Sequence, residues 1–255
     1  MTDKLFDLTG RIAFITGSSR GIGLAFAEAL SSAGAEVVIN ARNGGELEQA
    51  RARLAATGAR VHALAFDITD QAAVERAIDD IETRIGPIEI LFNNAGIQRR
   101  APLVDYKPEV WRELMAVNLD AVFFVGQAVG RRMVARGHGK IVNTCSLGAE
   151  LTRPTIAPYN TSKAAVKMLT KSMCVEWARH GIQVNGIGPG FFKTELNRPL
   201  FTDPAFDEWV KKRTPAGRWG ELDELKGTAI FLASDASSYV NGHILYVEGG
   251  LLSSV

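Results

Sequence analysis

The chain has 255 residues, of which 46% are hydrophobic and 22% charged, and this composition is typical of an ordinary globular domain in water. The formal net charge of +1 gives no strong field, so we expect neither nucleic acid nor an anionic membrane as a partner. The two cysteines, Cys145 and Cys174, lie in apolar segments, which argues against a disulfide framework and favours a reducing compartment. We see no signal peptide and no apolar run of membrane-spanning length, so the sequence indicates a cytoplasmic protein.

Short β-branched runs alternate with longer helical patterns along almost the whole chain. The runs predicted as strands are Arg11–Thr16, Glu36–Asn40, Arg60–Phe66, Ile88–Phe92, Lys140–Cys145, Gln183–Ile187 and Ile244–Val247. The segments with helical periodicity are Gly21–Ala33, Gly45–Thr57, Gln71–Ile85, Glu109–Arg136 and Ala157–Arg179. Several strands are apolar throughout, as expected for a parallel sheet that is covered on both faces. The alternation predicts one α/β domain over residues 1–255, with a doubly wound sheet and right-handed crossovers.

Residues 191–220 break this alternation. The segment carries three prolines, two tryptophans and the basic run Lys211-Lys212-Arg213. An insertion of about thirty residues before the last helix is more often functional than a plain linker. We therefore predict a lid on the substrate side of the domain.

A glycine-rich turn follows the first predicted strand and opens the first long helix. Its glycines allow a tight turn, and the helix N-terminus offers amide donors and a positive dipole to a pyrophosphate. The spacing Gly-x-x-x-Gly-x-Gly differs from the common dinucleotide fingerprint, and plain turn chemistry is the alternative. The place of the turn between strand and helix favours dinucleotide binding, with these candidates: Gly17, Ser19, Arg20, Gly21, Ile22 and Gly23.

The end of the second strand is expected to meet the adenosine ribose. Enzymes specific for NAD usually place an Asp or Glu there, whereas this chain has Ile39-Asn40-Ala41-Arg42-Asn43. Guanidinium groups suit phosphate oxygens, so Arg42 and Arg20 together predict a site for the 2′-phosphate of NADP. We predict NADP(H) as the preferred cofactor and NAD(H) as the alternative. The competing interpretation is that both arginines are solvated surface residues.

Polar and small residues also follow the third and fourth strands, at the edge where ligands collect in open α/β sheets. Asp67, with Ile68 beside it, can accept from the adenine amino group, or it can cap the following helix. Asn94, Ala95 and Gly96 follow the fourth strand and are further cofactor-binding candidates.

Tyr159 and Lys163 are four residues apart in a predicted helix, so their side chains are neighbours on one face. A free tyrosine has a pKa of about 10, and a cation beside it favours the phenolate and lowers that pKa. Ser146 ends an apolar strand, and its hydroxyl can donate to the oxygen that Tyr159 protonates. The three residues predict a site that moves a proton on and off an alcohol or ketone oxygen. Taken alone, Tyr-x-x-x-Lys is more often an exposed aromatic and a solvated lysine.

These motifs, in this order, resemble the short-chain dehydrogenase/reductase family over essentially the whole chain. The matching positions are Gly17–Gly23, Asn93–Gly96, Asn118, Ser146, Tyr159, Lys163, Pro189, Gly190 and Thr194. The resemblance implies a single-domain Rossmann-type fold, with a doubly wound parallel sheet of seven strands and helices on both faces. It also implies hydride transfer to or from C4 of the nicotinamide, and usually a homotetramer.

The same resemblance implies a role for each site residue. Tyr159 would be the general acid/base, Lys163 would also bond the nicotinamide ribose, and Ser146 would orient the substrate. Asn118 would hold a water that links Lys163 to solvent, and a polar residue that kinks its helix is the alternative. The residues that approach the nicotinamide would be Pro189, Gly190 and Thr194. The four histidines are scattered without ligand spacing, so we expect no metal.

A narrower resemblance points to the gluconate 5-dehydrogenases of that family, which interconvert D-gluconate and 5-keto-D-gluconate, generally with NADP. It rests on Asn93–Arg100, Met173–Glu176, Ala178–Ile187, Phe192–Glu195 and Lys212–Gly220. A guanidinium can clamp the carboxylate of a sugar acid. The substrate-binding candidates are therefore Arg99, Arg100 and Arg153, together with Ser146 and Tyr159. For Arg99 and Arg100, a subunit interface or solvent is the alternative.

One loop departs from that narrower resemblance. Leu147-Gly148-Ala149 stands where gluconate enzymes tend to carry polar side chains, and specificity for hydroxyls comes from paired polar groups. A related sugar acid, another polyol or a less polar ketone therefore stays open as the substrate.

Two other functions fit parts of the sequence. A general carbonyl or 3-oxoacyl-thioester reductase would use Arg131-Arg132 or Lys211-Lys212-Arg213 to dock an acidic acyl carrier. A non-catalytic NADP-binding sensor would need no proton relay, and the set of Asn118, Ser146, Tyr159 and Lys163 argues against it.

Overall fold

A computed structural model of the chain describes residues 2–254, with side chains from residue 4 onward, so the two end residues of the predicted domain 1–255 lie outside the described residues. Seven strands form one sheet in which all neighbouring strands are parallel. They are β1 Ile12–Ile15, β2 Glu36–Ala41, β3 Val61–Ala65, β4 Ile88–Asn93, β5 Gly139–Thr144, β6 Ile182–Pro189 and β7 Ile244–Val247. The order is β3-β2-β1-β4-β5-β6-β7, so the direction of winding changes between β1 and β4. The predicted doubly wound parallel sheet is confirmed.

Helices cover both faces of the sheet. They are α1 Thr2–Leu5, α2 Gly21–Ser32, α3 Gly44–Ala55, α4 Gln71–Arg84, α5 Pro108–Met115, α6 Ala121–Arg136, α7 Ala157–Trp177, α8 Arg198–Phe201, α9 Pro204–Arg213 and α10 Lys226–Ala233. Side chains of a strand alternate between two apolar layers. In β1, Ala13 and Ile15 pack with α2, α3 and α10, whereas Ile12 and Phe14 pack with α4, α6 and α7.

The burial of β1 explains its apolar composition and fixes the helix that follows it. All four of its residues are buried, and burying a large apolar side chain contributes about 1.5–3 kcal/mol. Phe26 of α2 packs against Phe92 of β4, with ring centres 5.1 Å apart. The N-terminus of α2 is therefore held at the carboxyl ends of β1 and β4, where the direction of winding changes.

The predicted strands are all present, with ends that differ by at most two residues. The long helix predicted over Glu109–Arg136 needs a correction, because a π-helix over Ala116–Asp120 separates α5 from α6. Asn118 lies in that π-helix and is fully buried. Its amide group bonds to residues outside the helix, which local helical periodicity could not reveal.

The continuous helical run Pro108–Arg136 is long and apolar enough to cross a membrane by length and composition alone. However, 56% of its most apolar window is buried inside the fold. Val125 and Val129 of this run belong to the core layer beside α4 and α7. Core helices of soluble proteins pass the same test, so the run is weak evidence for a membrane span.

Residues 191–220 leave the sheet after β6 and return to the point from which they left. The backbone N of Gly220 donates to the carbonyl O of Phe191 at 2.9 Å, and N of Lys193 donates to the carbonyl O of Gly220 at 3.1 Å. Between these ends lie α8 and α9. Trp219 is almost fully buried, and its ring centre lies 5.5 Å from that of Phe191.

We expect Gly23→Ala to lower the free energy of unfolding by about 1–3 kcal/mol, because the added methyl group meets backbone that cannot move aside. A Cβ at Gly23 would lie 2.3 Å from the carbonyl O of Gly17. The matched control is Gly227→Ala in α10, where a Cβ meets nothing within 4 Å and the change is neutral or stabilising by up to about 1 kcal/mol. Urea unfolding measures both variants, and equal stabilities would contradict the prediction.

Candidate functional site

The turn between β1 and α2 packs so closely that side chains are excluded at two positions. Gly17 has a φ of 62°, and a Cβ there would lie 2.6 Å from Cα of Ala95, which follows β4. A Cβ on Gly23 would lie 2.5 Å from Nδ2 of Asn94. Gly21, between them, has a φ of 59°. The turn thus presents bare backbone at a helix N-terminus, which is what a pyrophosphate needs in order to reach the amide groups.

Thr16, which we did not single out from the sequence, joins the ends of β1 and β4. Its Oγ1 accepts hydrogen bonds from N of Asn94 at 3.0 Å and from N of Ala95 at 3.1 Å. In return, Nδ2 of Asn94 donates to the carbonyl O of Thr16 at 3.1 Å and of Gly17 at 3.0 Å. The available signal was a hydroxyl at the end of an apolar strand. Its partner could not be identified before the strand order was known.

Asn40 at the end of β2 is a second residue that we did not single out. Its backbone N donates to Oγ of Ser18 at 3.0 Å, and N of Ser18 donates to the carbonyl O of Asn40 at 2.8 Å. Its Nδ2 donates to the carbonyl O of Leu64 at 3.1 Å and of Phe66 at 3.2 Å. These bonds hold the glycine turn, β2 and β3 together on one side of the crevice.

Arg20 and Arg42, the two predicted phosphate ligands, lie on the surface beside acids. NH1 of Arg20 is 3.1 Å from Oε2 of Glu46, and NH1 of Arg42 is 3.8 Å from Oδ2 of Asp67. Their side chains are 69% and 68% exposed. Exposed pairs of this kind contribute little to stability, so both guanidinium groups can turn toward a phosphate at low cost. Ser19 lies half-buried in the same turn.

Asp67 does not cap the following helix, because Asp70 accepts the hydrogen bond from the first turn of α4. Oδ1 of Asp67 accepts instead from N and Oγ1 of Thr69, at 2.9 and 2.8 Å. Burial raises the pKa of Asp67, but the bonds from Thr69 and the charge of Arg42 outweigh burial and bring the pKa below its usual value. Ile68 is buried in the core layer.

Ser146, Tyr159 and Lys163 meet at the carboxyl end of β5. Lys163 is 3% exposed, and its Nζ donates to the carbonyl O of Thr144 at 2.7 Å. The same Nζ lies 5.8 Å from the centre of the Tyr159 ring, as expected for neighbours on one face of α7. Ser146 begins the 3₁₀ turn Leu147–Ala149, and its Oγ accepts from a backbone amide in that turn at 3.0 Å.

The pKa of Tyr159 does not follow the expectation that Lys163 lowers it. Burial raises the pKa of Tyr159 above its usual value, although the nearby Ser146 hydroxyl and the charge of Arg100 act in the opposite direction. Lys163 is itself removed from water, which lowers its pKa to about 8. The ammonium group of Lys163 is directed at the carbonyl of Thr144, and the charge of Arg100 favours the phenolate of Tyr159.

Asn118 fastens the segment that follows β4. Its Oδ1 accepts from N of Ile97 at 2.8 Å, and its Nδ2 donates to the carbonyl O of Ile97 at 3.0 Å and to Oγ of Ser162 at 3.2 Å. A Cβ on Gly96 would lie 3.4 Å from Oδ1 of Asn118 and 3.7 Å from Nζ of Lys163. The structure therefore brings both Asn118 and Lys163 close to Gly96. The side chain of Asn118 is engaged with protein groups, and the water link stays a prediction.

A cavity of about 300 Å³ opens beside these residues. Ser146 and Tyr159 line it, together with Arg100 and Arg153. Part of its wall comes from residues 191–220, including Phe191 and Trp209. The predicted cofactor residues that reach it are Ile22, Pro189, Gly190 and Thr194.

Arg100 and Arg153 bring two positive charges into the cavity without an acid beside them. Among the side chains of residues 4–254, no carboxylate lies within 4.0 Å of either guanidinium. Burial lowers the pKa of both groups, and the charge of Arg100 adds to the effect on Arg153. Arg99, the third candidate, is not brought to the cavity. Glu113 holds its guanidinium outside, with NH2 2.7 Å from Oε1.

Pro189 ends β6, and the backbone after it approaches β7 closely. N of Gly190 donates to the carbonyl O of Val247 at 2.9 Å, and a Cβ on Gly190 would lie 2.6 Å from Cβ of Glu248. Thr194, predicted to approach the nicotinamide, also caps a turn. Its Oγ1 accepts from N of Asn197 at 3.2 Å and so caps a 3₁₀ turn in the cavity wall.

Comparison with known proteins identifies the family. The family model described as enoyl-(acyl carrier protein) reductase matches residues 17–252. The chain belongs to the short-chain dehydrogenase/reductase family. The predicted family is therefore confirmed.

Similar members of this family include enzymes and solved structures of matching length. Gluconate 5-dehydrogenase of Gluconobacter oxydans is 54% identical over 251 residues, which cover 98% of each chain. The 5-keto-D-gluconate 5-reductase of Escherichia coli is 51% identical and covers 99% of this chain and 100% of its own. The crystal structure of a gluconate 5-dehydrogenase from Burkholderia cenocepacia in complex with NADP and tartrate has 57% identity and a TM-score of 0.97, over 100% of both chains.

Asn160 is a further cavity residue of this short-chain dehydrogenase/reductase that the sequence analysis missed. Its Nδ2 donates to Oγ1 of Thr152 at 2.8 Å, but its buried Oδ1 has no hydrogen-bond partner. A Cβ on Gly148 would lie 2.4 Å from that oxygen, so the glycine makes room for it. The Asn160 side chain thus packs behind the apolar loop Leu147-Gly148-Ala149. The signal was hidden because Asn160 lies inside the Tyr-x-x-x-Lys motif.

Proposed function

We propose that the chain is an NADP-dependent oxidoreductase that interconverts a secondary alcohol and a ketone on a sugar acid, with D-gluconate and 5-keto-D-gluconate as the preferred pair. One observation carries the proposal: Ser146 and Tyr159 share a cavity with Arg100 and Arg153, whose charges no described acid neutralises. The names of the similar enzymes support this substrate, and so does the tartrate complex, since tartrate is also a hydroxylated carboxylate.

The close-packed turn at Gly17 and Gly23 fits a dinucleotide, because backbone amides at the start of α2 are left uncovered. NADP(H), when bound, supplies or accepts the hydride at C4 of the nicotinamide. Arg20 and Arg42 would bind the 2′-phosphate. The other residues that would hold the dinucleotide are Ser19, Gly21, Ile22, Asp67, Ile68, Asn94, Ala95, Gly96, Tyr159, Lys163, Pro189, Gly190 and Thr194.

In this proposal Tyr159 moves the proton. It donates its phenolic proton to the ketone oxygen during reduction and takes a proton from the hydroxyl during oxidation. Ser146 donates a hydrogen bond to the same oxygen and so holds the carbonyl toward Tyr159. Lys163 would bond the nicotinamide ribose. Asn118 holds the segment that contains Ile97, and a water bound beside Asn118 would link Lys163 to solvent.

The far end of the substrate would lie against the two arginines. Arg100 and Arg153 bind its carboxylate, because charge-assisted bonds in a partly dehydrated site are the strong ones. This arrangement distinguishes a ketone that carries a carboxylate from one that does not.

Residues 191–220 would act as the lid over this cavity. Phe191 and Trp209 form part of its wall, and the two ends of the segment are joined at Phe191 and Gly220. A lid excludes water and so strengthens the charge interactions beneath it.

We expect 5-keto-D-gluconate to be reduced by NADPH with a kcat/KM at least about tenfold above that of an acetoacetyl thioester, because only the sugar acid carries a carboxylate that can bind between the two arginines. Tyr159→Phe should lower kcat at least about 100-fold, since it removes the proton donor. The loss of NADPH absorbance measures both values.

The matched control is Tyr106→Phe, whose hydroxyl lies outside the cavity and whose turnover should stay within about twofold of wild type. A Tyr159→Phe variant that also stays within about twofold would remove the acid/base assignment. Preference for the thioester would point to an oxoacyl reductase instead.

Arg42→Ala should raise the KM for NADPH at least about tenfold and leave the KM for NADH within about twofold, because only NADP carries the 2′-phosphate that Arg42 binds. Arg53→Ala is the control, since Arg53 is an exposed arginine of α3 paired with Glu28. Initial rates over a range of each cofactor test the prediction. Equal losses with both cofactors, or a wild type more efficient with NADH, would contradict it.

We further propose that the enzyme is a cytoplasmic homotetramer and that α7 contributes an exposed apolar face to its assembly. Met168 and Val175 are 60% and 80% exposed on α7, and Phe123 of α6 is 41% exposed. Charges placed in an apolar interface are not solvated there. Met168→Lys combined with Val175→Lys should therefore lower the mass measured by light scattering, while Leu5→Lys on α1 should not. A double variant of unchanged mass would exclude this face.

A further inference from the structure

A backbone hydrogen bond joins the two connections that carry the cavity arginines. N of Ala101 donates to the carbonyl O of Thr155 at 3.2 Å. Thr155 has a φ of 72°, which a β-branched residue rarely adopts, so its surroundings must hold it there. Arg100 immediately precedes Ala101, and Arg153 lies two residues before Thr155. The bond therefore keeps both arginines in the same part of the cavity wall.

Two cations in this position repel each other. Burial lowers the pKa of Arg153 most, and the charge of Arg100 lowers it further. The two guanidinium groups therefore lie close enough to interact. No carboxylate of residues 4–254 lies within 4.0 Å to offset the repulsion. Some other contact must keep Arg153 turned toward the cavity.

Phe206 of α9 provides that contact. Cζ of Arg153 lies 4.9 Å from the centre of the Phe206 ring. A guanidinium over an aromatic face is attracted by the ring quadrupole, and the attraction grows as water is removed. The ring itself is fixed by aromatic neighbours in residues 191–220, with centres 5.9, 5.3 and 6.4 Å away in Phe191, Trp209 and Trp219.

We propose that Phe206 is a positioning residue that sets the preference for anionic substrates, because its ring holds the Arg153 guanidinium where a substrate carboxylate binds. The lid and the carboxylate site then share one contact, since Phe206 belongs to residues 191–220 and Arg153 to the loop after Ser146. This inference rests on the proposed function and adds to it the residue that orients the anion site.

The test compares two ketones with and without a carboxylate. Phe206→Leu keeps an apolar side chain but removes the aromatic face. It should raise the KM for 5-keto-D-gluconate at least about fivefold. The KM for 5-keto-D-fructose, an uncharged sugar with a ketone at the same carbon, should stay within about twofold, and so should kcat for both substrates.

Two further variants separate positioning from general damage. Phe206→Tyr retains the aromatic face and should restore the KM of wild type. Phe201→Leu changes another lid aromatic, which contacts Trp219 at 6.0 Å, and should not discriminate between the two ketones. In a background of Arg153→Met, Phe206→Leu should have no further effect on the KM for the acid, because the two residues act as one unit.

The outcomes distinguish the inference from the function on which it rests. A wild type that does not prefer the acid would overturn the proposed substrate class and this inference with it. A wild type that prefers the acid, with Phe206→Leu raising both KM values equally, would overturn the role of Phe206 alone. Additive effects of Phe206→Leu and Arg153→Met on the KM for the acid would also overturn the role of Phe206.

Discussion

Helix α7 turns buried polar side chains toward the sheet, and their pairing fixes where the helix lies. Nζ of Lys163 bonds the carbonyl of Thr144, and Nδ2 of Asn143 donates to Oγ1 of Thr170 at 2.9 Å. Each buried polar group left without a partner costs about 1–3 kcal/mol. A shift of α7 along the sheet would break both pairs, so its position is far more closely defined than apolar packing alone would make it. The place of Tyr159 follows from this constraint.

The cofactor side of the crevice is fixed by a different means, the contact of backbone with backbone. Gly17 lies against Ala95, and the Thr16 hydroxyl bonds the two amides that follow β4. The crevice therefore has its shape before a dinucleotide arrives, and little ordering is left to oppose binding. The substrate side is more open, since it is formed by loops and by residues 191–220. The proposed cofactor site and the proposed substrate site are thus formed by different kinds of structure, packed backbone in one and loops in the other.

Much of the fold could be predicted because it depends on local patterns. Apolar runs between helical segments marked every strand, and a spacing of four residues placed Tyr159 beside Lys163. An interruption of the helix at Asn118 could be predicted only as an alternative, because the amide of Asn118 bonds to Ile97 and Ser162 on other elements. The same holds for Arg100, whose effect on Tyr159 depends on the course of the connection after β4. Contacts distant along the chain leave no periodic signal.

The joined ends of residues 191–220 have an evolutionary consequence. Because Phe191 and Gly220 meet through main-chain hydrogen bonds, whatever lies between them begins and ends at one point of the scaffold. Insertions, deletions or replacement of the residues after Thr194 would leave the strands and the proposed site residues Ser146, Tyr159 and Lys163 in place. Evolution can therefore alter the residues that this segment contributes to the cavity wall, while the sheet and the proposed acid/base residues stay unchanged.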